Sequence, residues 1–486
     1  MLSDKTVEIL SALNKKELKK FGDFLSSPYF NTRDAYVKIF NVIFEAYPRL
    51  DSEAFDYRKM FKKLYPGKVY KERTIKNLYS EFGGLLKKFI GYEGIRNDEK
   101  MIDLYTAEGL TGKNLLEISD KFTKAGLNEK GEKLLNAAHD FHYRNKVNIN
   151  YYNNLIQLRR TGTKEHYEVF KTLHEDLIIF FLRDIFYLAT DNIYLRTIFP
   201  AEIKYSMLEE LMEFVNIKDF LHSLGMAKHD YAPYLKVEYM IYYHTKNNIT
   251  EEEYYELKHE MLSIIHKIKK VDQTHFISRL TGIILSKLIP VSRKYYSEIF
   301  ELGNLFRALK IYPDDLLPNL GIGFFRDMFT VAVILKEYDW AENFVNEYSG
   351  YLAKELTETE NNFCKGILNF KRGNYERSLS HFNKVKMIDI IEKINIRFYY
   401  MMNYIELKSY ESALSALHTI KQFSHDRKDI PEMFAVLIPD ALRYFHEIIK
   451  CEEEGRKADG LIYQDVFSGK RFYHMAYVMD KMEKLK

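Results

Sequence analysis

Lys336-Glu337-Tyr338-Asp339-Trp340-Ala341, Gly373-Asn374-Tyr375-Glu376-Arg377-Ser378 and Lys408-Ser409-Tyr410-Glu411-Ser412-Ala413 are three versions of one pattern. Their tyrosines stand 37 and 35 residues apart, and a small side chain follows each one three residues later. A fixed period of this length marks stacked helical hairpins, each exposing an apolar face that only its neighbour can cover. The pattern predicts an all-α chain organised around hairpins. It says little about chemistry.

Composition points the same way. Among 486 residues there are only 22 glycines and 10 prolines, too few tight-turn formers for an all-β chain. The 38 tyrosines and 34 phenylalanines are read as packing between helices, some of them lining a binding surface as the alternative. Net charge is +3, too small to imply a polyanion partner for the whole chain. The charge is uneven, however: residues 1–100 carry 20 Lys and Arg against 14 Asp and Glu, and the remainder 52 against 55. Cys364 and Cys451 lie far apart and without partner spacing, which suggests a reducing compartment and neither a disulfide framework nor a zinc site. The first residues lack a basic region followed by an apolar run. The most apolar run, 177–182, is cut by Arg183-Asp184, far short of the roughly 20 residues a membrane span needs. A cytoplasmic protein without membrane association is expected.

Three regions are expected: a basic helical module over 1–100, a degenerate helical-repeat region over 101–310, and hairpin repeats with a capping helix over 311–486. In the first, helices are expected over 5–13, 15–25 (with Asn14 as cap), 33–46, 55–64 and 71–90, with turns at Pro28, Pro48 and Pro66-Gly67. On the last, Ile75, Leu78, Tyr79, Phe82, Leu85, Leu86, Phe89 and Ile90 recur at steps of three and four and predict one buried stripe. Over 101–310, segments of 10 to 20 residues with short polar connections predict further helices, including breaks near 145–150 and 160–163. Thr250 with Glu253 forms a capping-box pattern, and 311–323, with two prolines and two glycines, reads as a break in regularity.

Between Tyr57 and Lys88 ten basic residues face only Glu72 and Glu81. A helix–turn–helix there would present Arg73, Lys76, Asn77 and Ser80 to a DNA groove, with Lys62, Lys63 and Lys71 on phosphates. The competing readings are a solvated lysine-rich face or a docking face for an acidic protein. Leu64-Tyr65-Pro66, Arg73-Thr74-Ile75, Leu78 and the run from Ser80 to Leu85 are similar to the winged-helix segment of bacterial activators that carry tetratricopeptide repeats. That resemblance implies a β-wing after the second helix, where this chain continues Gly91-Tyr92-Glu93-Gly94-Ile95-Arg96.

From Gly323 to Phe423 the pattern resembles the tetratricopeptide repeat. The middle unit carries Gly366, Gly373, Tyr375, Ser378, Phe382 and Val385 at the family's spacings, flanked by Tyr338, Ala341 and Val345 before it and Tyr410, Ala413 and Leu417 after it. Asn362 and Lys365 stand where the family is usually apolar, and the closing proline is absent from all three units. The resemblance implies a TPR-like helical-hairpin solenoid whose first helices line a concave groove. Counted from the matched tyrosines, the groove side includes Arg326 and Thr330, then Glu360, Phe363, Ile367 and Phe370, then Asn395, Phe398 and Met402, of which Arg326, Phe363, Phe370, Asn395, Phe398 and Met402 are the candidate binding residues. The phenylalanines and Met402 are expected as apolar anchors for a peptide or helix, with Arg326 and Asn395 fixing its orientation. Either that groove is open to a partner, or neighbouring helices of this chain fill it. The segment 471–486, with Phe472, Met475, Ala476, Met479 and Met482 on one face, is expected to cap the array.

No phosphate loop, dinucleotide motif or nucleophile elbow occurs. His139/His142 and His259/His266 lack the i, i+4 spacing and third ligand of a helical metal site. No cofactor, metal or catalytic residue is expected. The expected function is a non-enzymatic protein-interaction scaffold. The alternative is a DNA-binding transcriptional regulator whose repeats sense a partner.

Overall fold

The computed structural model describes residues 4–48, 50, 56–127, 138–198, 207–312, 320–386, 390–427 and 429–486. Among them every regular element is helical, and no helix is long and apolar enough to cross a membrane. The chain divides into two compact units, 1–132 with 138–182, and 133–137 with 183–486. This division falls at neither 100 nor 310, because helices on both sides of each of those positions pack on one another.

In the first unit α1 (Asp4–Ala12), α2 (Lys15–Ser26), α3 (Asp34–Ala46), α4 (Tyr57–Leu64) and α5 (Glu72–Arg96) enclose one core. Asn14 caps α2: its side chain accepts from Lys16 N at 2.9 Å and Glu17 N at 3.1 Å, and Glu17 returns a bond to Asn14 N at 2.8 Å. Six of the eight residues expected on the α5 stripe are buried, with Leu85 partly so and Ile90 exposed. Gly91 to Arg96 continue α5 as helix, so the β-wing implied by the activator resemblance is absent. The physical reason is local: the stretch lacks the alternating β-branched residues a strand pair needs, and an unbroken helix satisfies its backbone.

α6 (Glu99–Thr111), α7 (Leu116–Leu127) and α8 (Ala138–Gln157) follow, then α9 (Lys164–Ile198), within which the division falls. α8 runs through the expected break near 145–150. The polar residues there are inward-facing: Asn150 and Asn154 donate to Ser119 Oγ at 3.3 and 3.1 Å, and Ser119 Oγ in turn lies 2.9 Å from Thr111 Oγ1. A buried asparagine row hides helical periodicity from a reading based on apolar spacing.

The second unit continues through α10 (Met207–Phe214), α11 (Ile217–Met226), α12 (Ala232–Lys246), α13 (Glu251–Ile264), α14 (Lys270–Ile283) and α15 (Tyr296–Ala308). Thr250 and Glu253 form the expected capping box at α13. The break expected over 311–323 falls mainly on 313–319, outside the described residues. Next come α16 (Ile322–Ile334), α17 (Tyr338–Tyr348), α18 (Lys354–Lys371), α19 (Tyr375–Phe382), α20 (Ile390–Glu406) and α21 (Tyr410–Asp426). The chain closes with α22 (Glu432–Ala435), α23 (Ile438–Glu454), α24 (Gly460–Val466) and α25 (Met475–Lys484). From α16 to α21 each helix packs on its neighbours in sequence.

The three tyrosine patterns mark one turn made three times. Lys336, Gly373 and Lys408 adopt left-handed φ of 63°, 79° and 57°. The next N–H reaches back five residues in each: Glu337 to Ala332 O at 2.8 Å, Asn374 to Asn369 O at 2.8 Å, Ser409 to Tyr404 O at 2.9 Å. This reversal closes the first helix and starts the second. Ala341, Ser378 and Ala413 are then fully buried, as small side chains must be where two helices approach closely. Gly366 is the tightest point. An added Cβ there would stand 2.7 Å from the ring of the fully buried Phe382.

Gly366→Ala is therefore expected to destabilise the protein by about 1–3 kcal/mol, because the ring has no free space to enter. Gly323→Ala, where an added Cβ meets nothing within 4 Å, is expected to be neutral. Urea unfolding of the two variants checks this pair.

Candidate functional site: a cleft between the C-terminal helices

Of the six candidate binding residues expected to line a groove, four lie in the interior, and Phe370, Phe398 and Met402 share one core cluster. Phe398 and Met402 are 0 % and 1 % exposed, and Phe363 and Phe370 are buried. Phe398 stacks on Tyr473 with centroids 5.1 Å apart and lies against Phe445 at 5.6 Å. Phe370 meets Tyr399 and, on α25, Tyr477. A side chain without accessible surface makes no contact with a partner, so these four are corrected from groove anchors to core. The segment expected only to cap the array instead covers this face. Asn395 is half-buried.

Arg326 on α16 is committed as well. Its guanidinium bonds Glu360 on α18, with Nε 2.9 Å from Oε2, and also pairs with Glu392 on α20. Glu360 is fully buried and Glu392 nearly so. Three successive first helices are thus tied by one cation between two carboxylates. Removing it would strand buried charge, so Arg326 is a positioning group of the fold here.

The five cationic residues Lys62, Lys63, Lys71, Arg73 and Lys76 are all exposed, at the end of α4 and the start of α5. Lys76 pairs with Glu72 at 2.6 Å and lies over the Tyr57 ring, while Lys63 approaches Glu45 at 3.9 Å. Arg73, Lys76, Asn77 and Ser80 share the outer face of α5, opposite its buried stripe.

A different feature is open, and reading the sequence missed it. Between α21, α22 and α23 lies a cavity of about 990 Å³. Along one wall α21 presents Leu417, His418, Lys421 and His425; along the other α23 presents Ile438, Leu442, Arg443 and His446. Both rows follow steps of three and four, so each wall is a single helical face. Arg427, Ile430, Glu432 of α22 and Ile462 of α24 also border the cavity. The cleft exists because α21 and α23 are joined by 427–437, which contains the four-residue α22, in place of a tight turn. That long connection and the polar spacing on α21 were the available signals.

One carboxylate of the α23 wall is fully engaged by neighbouring groups. The Glu447 carboxylate accepts from Arg456 Nη1 at 2.7 Å, Arg456 Nη2 at 3.1 Å, the backbone N–H of Asp459 at 2.9 Å and the Cys451 thiol at 3.2 Å. Arg456 chiefly, with Asp459 and Cys451, holds that carboxyl down at about 2 against the effect of burial. Burial, then Glu447, pushes the Cys451 thiol up to about 12, which keeps it protonated at neutral pH. Among the described residues no group of His, Cys, Asp and Glu is placed to hold a metal. His259 and His266 are exposed, and the side chains of His139 and His142 lie outside the described residues. Compared with known proteins, the chain matches no family, no curated sequence and no solved structure.

The depressed carboxyl sets a pH signature. A group whose pKa falls on folding adds stability above its ordinary value near 4.5 and loses it as pH drops toward 2. Glu447→Gln is expected to be about 2–3 kcal/mol less stable than wild type at pH 7, with the gap narrowing by pH 3. Urea titrations at both pH values check this; a gap that does not change with pH contradicts it.

Proposed function

We propose that the protein is a non-enzymatic interaction scaffold, a solenoid of TPR-like hairpins that holds a segment of another protein in the cleft between α21 and α23. The observation that carries this reading is the cleft itself: two helical faces, apolar at the base and polar at the rim. Pockets that bury a ligand mostly fall at about 300–1,000 Å³, and this one sits at the upper end of that range. Two further features support the solenoid. The left-handed reversal recurs at Asn114, Arg159, Lys228 and Lys310, upstream of the tyrosine repeats. Helices 16 to 21 contact their sequence neighbours, as stacked hairpins do. Two free, buried cysteines fit a reducing compartment, and we assign the protein to the cytoplasm.

Affinity capture from the native host, quantified by mass spectrometry, tests the reading. A protein retained by wild type is expected to be lost with Lys421→Glu/His446→Glu and kept with Lys71→Glu/Arg73→Glu. Retention by the cleft variant contradicts it.

One observation favours a second reading: Arg73, Lys76, Asn77 and Ser80 share an exposed face at the start of a helix–turn–helix rich in lysine. On that reading the protein regulates transcription by contacting duplex DNA through α5. The full chain would bind a 24-bp duplex at about 50 mM salt and lose at least tenfold in affinity by 200 mM. Lys71→Glu/Arg73→Glu/Lys76→Glu would abolish that binding. No anisotropy change at low salt removes this reading.

A further inference from the structure

We infer that the segment held in the cleft is an acidic amphipathic helix. This rests on the scaffold reading above and adds the chemistry of the partner.

Shape comes first. The α21 wall runs from Leu417 to His425, eight steps that span about 12 Å at 1.5 Å per residue. The α23 wall from Ile438 to His446 matches it in length. Two helical walls of equal length, meeting along an apolar line of Leu417, Ile438 and Leu442, form the receiving half of a three-helix packing. A third helix of roughly three turns would lay its apolar stripe along that line and turn its flanks to the two rims.

Charge decides what those flanks carry. On the α21 rim stand His418, Lys421 and His425, and no acidic side chain of α21 lines the cleft. The α23 rim offers Arg443 and His446. Arg443 already bonds Asp465 and lies 3.5 Å from Asp440, outside the lining. Two acids line the cavity. Glu447 is spent on Arg456 and the Asp459 backbone, which leaves Glu432, on the short α22 and on neither long wall. Arg427 itself pairs with Asp429 at 3.0 Å. Lys421 with His418 on the α21 rim and His446 on the α23 rim therefore offer a cation and imidazole donors, while His425 lies 3.2 Å from Asp426 and Arg443 is engaged by Asp465, and a carboxylate on either flank of the occupant finds a partner. A lysine on either flank would meet a like charge or an imidazole. Complementary charge of this kind selects the partner and fixes its register more than it adds affinity.

The test uses the full chain and three fluorescein-labelled 16-residue peptides. One carries leucines on one helical face with glutamates on both flanks. The second replaces each glutamate by lysine. The third is the acidic composition scrambled so that the leucines share no face. By anisotropy at 150 mM NaCl the acidic helix is expected to bind at least tenfold tighter than either of the others. Lys421→Glu/His418→Glu, two exposed substitutions, is expected to weaken it at least tenfold and to improve the lysine peptide. Equal or tighter binding of the lysine peptide overturns the inference while leaving the cleft as a site. Equal binding of the scrambled peptide overturns the helical occupant. Failure of all three peptides overturns the inference; host capture that still depends on Lys421 and His446 would then show that the scaffold reading survives alone.

Discussion

Close approach of paired helices is the constraint on which the C-terminal architecture rests. Where Gly366 leaves room for the Phe382 ring, α18 and α19 approach closely, with Ser378 buried in the same pair and Ala341 and Ala413 buried in the neighbouring ones. That approach is possible only if the chain reverses within a few residues, which the left-handed positions Lys336, Gly373 and Lys408 accomplish. A residue other than glycine in this conformation costs about 1–2 kcal/mol. Lysine occupies it twice here, so packing across the hairpin must more than offset the strain.

Once helices are packed this tightly, the fate of the residues expected on a groove face follows from what the chain has left over. Phe370, Phe398 and Met402 would present a wide apolar surface, and full burial of such side chains stabilises by roughly 1.5–3 kcal/mol each. Phe472, Tyr473 and Tyr477 supply that burial from within the same chain. The charges behave likewise: Arg326 is engaged by the buried carboxylates of Glu360 and Glu392. A cleft opens where the tight connection between successive helices gives way to a longer one, between α21 and α23.

The three hairpins were legible because tyrosine, a small residue and a turn repeat at nearly constant spacing. Upstream the same reversal persists in the backbone while its signal vanishes. Asn114, Arg159, Lys228 and Lys310 take the left-handed conformation without glycine to announce it. α8 was misread as two helices because Asn150 and Asn154 are buried among hydroxyls, which no rule of apolar spacing detects. The surface positions of Lys62, Lys71 and Arg73 were legible, since lysine and arginine rarely go inside. The cleft was not. It is created by a contact that is missing, and single-sequence patterns report contacts that are made.

Hydrogen exchange of the full chain, with and without a saturating acidic amphipathic helix, tests the placement of the site most directly. Added protection is expected over 417–427 and 438–447, with no change over 363–370 and 398–402. Protection over those two core segments, with none over α21 and α23, would contradict it and return the site to the concave face.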